Sequence, residues 1–202
     1  MPSNTMIRRT FMGTAVAAAS LSVLPVPVLA LTESGARKLV DSLVADINKV
    51  IASGKSESAM IREFERIFAK YADVPIMARY ALGVDGRSAS ASQVRAFTKA
   101  FQGYIARKYG RRFREFVGAK IEVKSARKIK SGYEIKSTAF LRGESPFEVT
   151  FLVSDKSGKS LFFNMFIEGV NMLLTERTEI GALLDQRKGN LDRLIADMGK
   201  LG

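Results

Sequence analysis

The sequence predicts an α+β domain in which N-terminal helices pack on a curved four-stranded antiparallel sheet, with C-terminal helices after it. Three features carry this expectation. Apolar residues recur at spacings of three and four from Leu39 to Ile105, as on one face of a helix. Near Gly118 the period drops to two, the alternation of half-buried antiparallel strands, and it holds to Glu168. The helical period then returns between Ile180 and Met198.

The first thirty residues stand apart. Arg8 and Arg9 precede a charge-free run from Phe11 to Leu24, and Val28-Leu29-Ala30 is a small-residue ending. This is the pattern of a secretory signal cleaved after Ala30, which leaves residues 31–202 as one mature domain. Pro25 and Pro27 interrupt the run, and it falls short of the roughly 20 apolar residues that a membrane span needs. Arg8-Arg9-Thr10-Phe11-Met12 also has the twin-arginine form, which implies export of an already folded chain. An ordinary secretory signal with two adjacent arginines is the alternative.

Within the mature region, Leu39, Val40, Leu43, Val44, Ile47, Val50 and Ile51 share one face of a helix from about Glu33 to Ser53, ended by Gly54. Ser56 caps a second helix with the stripe Met60, Ile61, Phe64, Ile67, Phe68 and Tyr71. A short third helix follows Pro75 and stops at Gly83. Ser90 and Gln93 form a capping-box pattern that opens a fourth, carrying Val94, Phe97, Phe101, Tyr104 and Ile105 on one side. Strands follow around Ile121 and Val123, Tyr133 and Ile135, then Val149, Phe151 and Val153, with turns at Ser131-Gly132, Gly143 to Pro146 and Ser157-Gly158. The fourth strand, Leu161 to Glu168, places Leu161, Phe163, Met165 and Ile167 on one face and Phe162 and Phe166 on the other, so both faces need cover. Two closing helices use Ile180, Leu183 and Leu184, then Leu191, Leu194, Ile195 and Met198 after an Asn190 cap.

Composition narrows the chemistry. The chain of 202 residues holds no Cys, His or Trp, which excludes thiol and imidazole nucleophiles, Ser-His-Asp triads, imidazole or thiolate zinc sites and disulfides. Its 32 Lys and Arg against 20 Asp and Glu give a net charge of +12, of which the leader carries only Arg8 and Arg9. Basic clusters at Arg107 to Arg114 and Lys120 to Lys130 would suit nucleic acid in a cytosolic protein. Export redirects them toward anionic head groups or acidic partner surfaces, with a solvated helix face as the plain alternative. Thirteen Phe and eight Met fit either an ordinary core or a cavity lined by polarisable side chains.

Two stretches resemble a known family. VPIMARYALG at residues 74–83, followed by SASQVRAFTKAFQGYIARKY at 90–109, and then IEGVNMLLTERTEIGALLDQRKGNLDRLIADM at 167–198, are similar in order and spacing to the MlaC family, periplasmic auxiliary proteins of a phospholipid-transporting ABC system. The chain departs from that family's usual pattern at Phe162 or Phe163 (Trp), Phe166 (Asp), Asn171 (Ser) and Glu176 or Arg177 (an aromatic).

The resemblance implies a soluble, monomeric carrier in the periplasm that holds phospholipid acyl chains in an apolar cavity between sheet and helices. Such a carrier needs no catalytic residue, metal or cofactor and binds no nucleic acid. Its implied partners are an inner-membrane MCE-domain ABC transporter and an outer-membrane lipoprotein complex. Periodicity selects Met77, Phe97, Phe101 and Tyr104 from the helices, with Ile135, Val149, Phe151, Phe163, Met165 and Ile167 from the sheet, as the lipid-lining residues. Rival readings are a hopanoid-like cargo, an adaptor without lipid, and an enzyme using Glu134, Glu148 or Glu168 as acid or base.

Overall fold

The computed structural model describes residues 30–111 and 119–202. The leader expected at residues 1–30 therefore lies outside the described residues except for Ala30, as do Arg112 and Arg114 of the first basic cluster.

Local chemistry sets the helix boundaries. Helix α1 (Glu33–Ile51) starts where the Thr32 side chain accepts the Gly35 N–H, and α2 (Glu57–Tyr71) where Ser56 accepts that of Ala59. Helix α3 (Val74–Leu82) is capped by Asp73, carries Pro75 in its first turn, and ends at Gly83 with φ 58°. Ser90 and Gln93 close both halves of the capping box on α4 (Ala91–Gly110).

Strands β1 (Lys120–Ile129), β2 (Gly132–Phe140), β3 (Phe147–Ser154) and β4 (Leu161–Ile167) form an antiparallel meander, and β5 (Val170–Asn171) adds a fifth, two-residue strand. The expected sheet had four. The extra strand exists because Glu168 and Gly169, at φ 49° and 77°, reverse the chain at once, so that Val170 and Asn171 pair back on Ile167 and Phe166. Helices α5 (Met172–Asp185) and α6 (Leu191–Met198), capped by Asn171 and Asn190, complete the fold.

Two bulges bend the sheet, one between Val123 and Ser125 in β1 and one where β3 meets β4. One sheet face carries Ile121 and Val123, then Ile135, Ser137 and Ala139, then Val149, Phe151 and Val153 as cross-strand neighbours. Helix α1 lies across β1 to β3 on this face, while α3 and α5 reach β4. Helix α4 contacts α2, α3 and α6, forming the layer outside them. The joint between α2 and α3 is pinned to the sheet where Asp73 N–H donates to the Phe162 carbonyl at 2.8 Å. Among the described residues, no helix is long and apolar enough to cross a membrane.

Much of the surface charge is structural. Lys120 and Lys124 flank Glu122 on the edge strand β1, and cationic edges resist pairing with other chains. Arg107 turns inward instead, donating to the carbonyls of Leu201 at 2.9 Å and Met198 at 2.5 Å, which fastens the C-terminus to α4.

The β1–β2 turn packs closely against the end of β3. Gly132 sits at φ 142°, and a Cβ there would stand 2.0 Å from the Val153 carbonyl oxygen. Gly132→Ala is expected to cost about 3 kcal/mol through combined strain and clash. A chemical denaturation midpoint equal to that of the parent would contradict this.

Candidate ligand-binding cavity

Between the helices and the concave side chains of the sheet lies a cavity of about 350 Å³, within the size range of ligand pockets. Leu43, Ile47 and Ile51 of α1, Phe64 and Phe68 of α2, Met77 of α3 and Ile105 of α4 line it from the helical side. The sheet contributes Ile121, Ala139, Phe147, Val149, Phe151, Phe162, Met165 and Ile167. Four rings run along this wall in succession: Phe64 to Phe68 at 6.3 Å between centroids, Phe68 to Phe162 at 6.2 Å, and Phe162 to Phe151 at 5.9 Å, edge to face.

The sequence-selected residues divide. Met77, Val149, Phe151, Met165 and Ile167 stand in the cavity wall. Phe97, Phe101 and Tyr104 do not: they are buried, but they stack along α4, whose buried face meets other helices instead of the sheet. Ile135 is wholly buried at the centre of the sheet, outside the wall. Phe163 is replaced in the wall by Phe162. Pairing jumps from Leu152 with Asn164 to Val153 with Phe162, so Phe163 is the unpaired residue of a bulge and the alternation of β4 inverts there. Phe64 and Phe68 already belonged to the α2 stripe in the sequence; nothing in that stripe distinguished a cavity wall from plain core.

Few polar groups interrupt the wall. Asn164 is buried, and its Oδ1 accepts from the Met165 N–H at 2.8 Å and the Leu173 N–H at 3.3 Å. Its Nδ2 donates at 3.0 Å to Asn171 Oδ1, which also accepts the Leu174 N–H as the cap of α5. One amide thus joins the bulge in β4 to the start of α5. Asn164→Leu is expected to destabilise the fold by about 2 kcal/mol because it strands these buried partners. Faster hydrogen exchange at the Leu173 and Leu174 amides is the accompanying sign, and unchanged protection would count against the role.

Glu176 is a further polar member of the wall, beside Asn48, Tyr109 and Glu144, and it is only 3% exposed. Its Oε1 accepts from Tyr109 Oη at 2.5 Å and from Lys108 Nζ at 2.8 Å. Lys108 also pairs with Glu179, which accepts from Tyr104 Oη. Burial raises the Tyr104 phenol well above its ordinary range, and the bond to Glu179 adds to the shift. Burial opposes the charge on Lys108, yet its hydrogen bonds to Glu176 and Glu179 prevail and raise its pKa. Glu179 is held below the usual carboxylate range because Lys108 and Tyr104 outweigh its own desolvation.

The acids of the rival enzyme reading each have a structural partner. Glu134 pairs with Arg127 at 2.9 Å and Glu148 with Lys136 at 3.1 Å. Glu168 Oε1 accepts the Glu148 N–H at 2.6 Å, which ties the turn after β4 to β3.

Helices closing one face of a curved meander over an apolar, aromatic-walled cavity define a ligand-binding α+β domain. The family model described as "MlaC protein" matches residues 37–200, and the chain belongs to that family. A search of curated proteins finds no match. Among solved structures, the chain is similar to a phospholipid-binding protein from Ralstonia solanacearum, solved in complex with a phospholipid, with a TM-score of 0.68 and 16% identity over 81% of this chain and 98% of that one. At that identity the likeness establishes a shared fold.

Proposed function

We propose that this protein is a soluble carrier that takes phospholipid acyl chains into the cavity between sheet and helices. The observation that carries the reading is the cavity itself, apolar along most of its wall and rimmed by few polar groups. Membership of the MlaC family and the phospholipid bound to the Ralstonia protein support it. The physical need is clear: each methylene costs about 0.8 kcal/mol to expose to water, so a diacyl lipid crosses an aqueous compartment only when covered. Met77, Phe151, Phe162, Met165 and Ile167 would supply that cover, with Phe64 and Phe68 from α2.

In this reading the leader directs the chain to the periplasm, where it acts as a monomer without cofactor, metal or nucleic acid. It shuttles lipid between an outer-membrane lipoprotein complex and an inner-membrane MCE-domain ABC transporter, and it catalyses no reaction. Its excess of basic residues steers it toward anionic membranes and acidic partner surfaces.

Native mass spectrometry of protein purified without detergent, with lipid extraction of the same sample, tests the proposal. Co-purified phospholipid near one per chain is the expected result. A hopanoid in its place would correct the cargo; an empty protein that takes nothing from vesicles would refute the carrier reading and favour an adaptor.

A further inference from the structure

The leader expected at residues 1–30 meets the domain at a defined point. Ala30 is exposed, while Leu31 is half-buried and packs its side chain against the core. Its Cδ1 folds back over the first turn of α1, 3.6 Å from where a Cβ on Gly35 would stand. The Leu31 nitrogen donates at 2.8 Å to Asp155 Oδ2, across 124 positions of sequence. Asp155 opens the β3–β4 turn, where its carbonyl accepts the Gly158 N–H at 2.9 Å and Ser154 Oγ accepts the Lys156 N–H at 3.2 Å. These local bonds hold the carboxylate in place. Among the described residues no lysine or arginine pairs with Asp155, Lys156 and Lys159 of the same turn included.

We propose that Asp155 is the receptor for the N-terminal ammonium created when the leader is removed after Ala30. The inference rests on that cleavage and adds to it what the new terminus binds. Hydrolysis of the Ala30–Leu31 peptide bond consumes a water molecule and leaves a carboxylate on Ala30. It turns the Leu31 nitrogen from an amide into an α-amino group, which is largely protonated at neutral pH. That nitrogen already lies at hydrogen-bond distance from Oδ2, so a neutral contact becomes a charge-assisted one in the same place. A positive charge just ahead of a helix otherwise opposes the helix dipole; Asp155, together with Glu33 in the first turn of α1, offsets it. A terminus one residue longer or shorter would carry its ammonium up to about 3.6 Å of chain away. The site is therefore matched to cleavage at this bond, and it ties the start of α1 to the β3–β4 turn.

The test starts from the full chain of 202 residues, exported and processed in a Gram-negative host, with intact mass spectrometry fixing the first residue of the product. This product is compared by chemical denaturation with a chain that keeps residues 28–30 ahead of Leu31, each with and without Asp155→Asn. In the product that begins at Leu31, the substitution is expected to lower the folding equilibrium constant about tenfold, the scale of one charge-assisted hydrogen bond. In the extended chain, where Asp155 meets only a neutral N–H, the expected loss is about twofold or less. Acylation of the Leu31 α-amino group by a small amine reagent gives a second readout that survives poor folding of the variant: in the parent it should run severalfold slower than in the excised N-terminal peptide. A product that begins at another residue overturns the inference together with the cleavage on which it rests. A product that begins at Leu31 but loses equally in both chains, or whose α-amino group reacts as fast as the free peptide's, overturns the inference alone and leaves the cleavage and the carrier reading intact.

Discussion

Ala139→Phe is expected to lower lipid occupancy at least tenfold while the protein stays folded. Ala139 is 2% exposed and stands in the cavity wall, opposite Ile121 on one neighbouring strand and Phe147 on the other. A benzene-sized ring occupies a void on the order of 150 Å³, so the new side chain would take a large share of the roughly 350 Å³ present. It enters space that holds no protein atoms, which avoids the usual cost of overpacking a filled core. Bound lipid after detergent-free purification, set beside the thermal midpoint, is the measurement. A folded variant with full lipid occupancy would show that acyl chains do not lie here.

Lys108→Met is expected to destabilise the protein by about 3 kcal/mol, because it leaves the buried Glu176 carboxylate with Tyr109 as its remaining donor. The cost belongs to the stranded charge more than to the lost attraction, so adding Glu176→Met should recover much of it. The same cluster sets an alkaline limit. The pKa values of Lys108 and Tyr104 are both raised on folding, from ordinary values of 10.5 and 10.0. Groups raised in this way contribute stability that is fully present below the unfolded values and is lost as pH climbs past them. Stability should therefore hold through neutral pH and decline above about pH 10, and Lys108→Met should flatten that decline. Denaturant midpoints across pH 8 to 11.5 for both proteins provide the check; parallel curves would remove the cluster from the account.

Much of the architecture was legible in the residues. Ser56, the capping box of Ser90 and Gln93, and Asn190 are read from the sequence as caps, and each accepts a hydrogen bond from the first turn of its helix, an interaction confined to four consecutive residues. The change from a period of three or four to a period of two marks the sheet for an equally local reason. The family, too, was visible in two strings of sequence and is confirmed over residues 37–200.

The cavity was only half legible. Periodicity reports which side of an element is buried, and it placed Phe97, Phe101 and Tyr104 on the buried side of α4 correctly. It does not report what that side meets, and here it meets α2, α3 and α6. The bulge at Phe163 was equally hidden, since one extra residue inverts the faces of everything beyond it and leaves no mark in the alternation. The buried ion pair of Glu176 became visible only with its neighbours in place, because Lys108 and Tyr109 lie some seventy positions away and reach it from another helix. The sequence alone thus determined the helices, several of their caps, the presence of an antiparallel sheet and the family, all of which depend on neighbours a few residues apart. Tertiary structure decided which buried residues face empty space and which face each other, because a cavity is a property of how elements fail to fill the volume between them, and no single element carries that information.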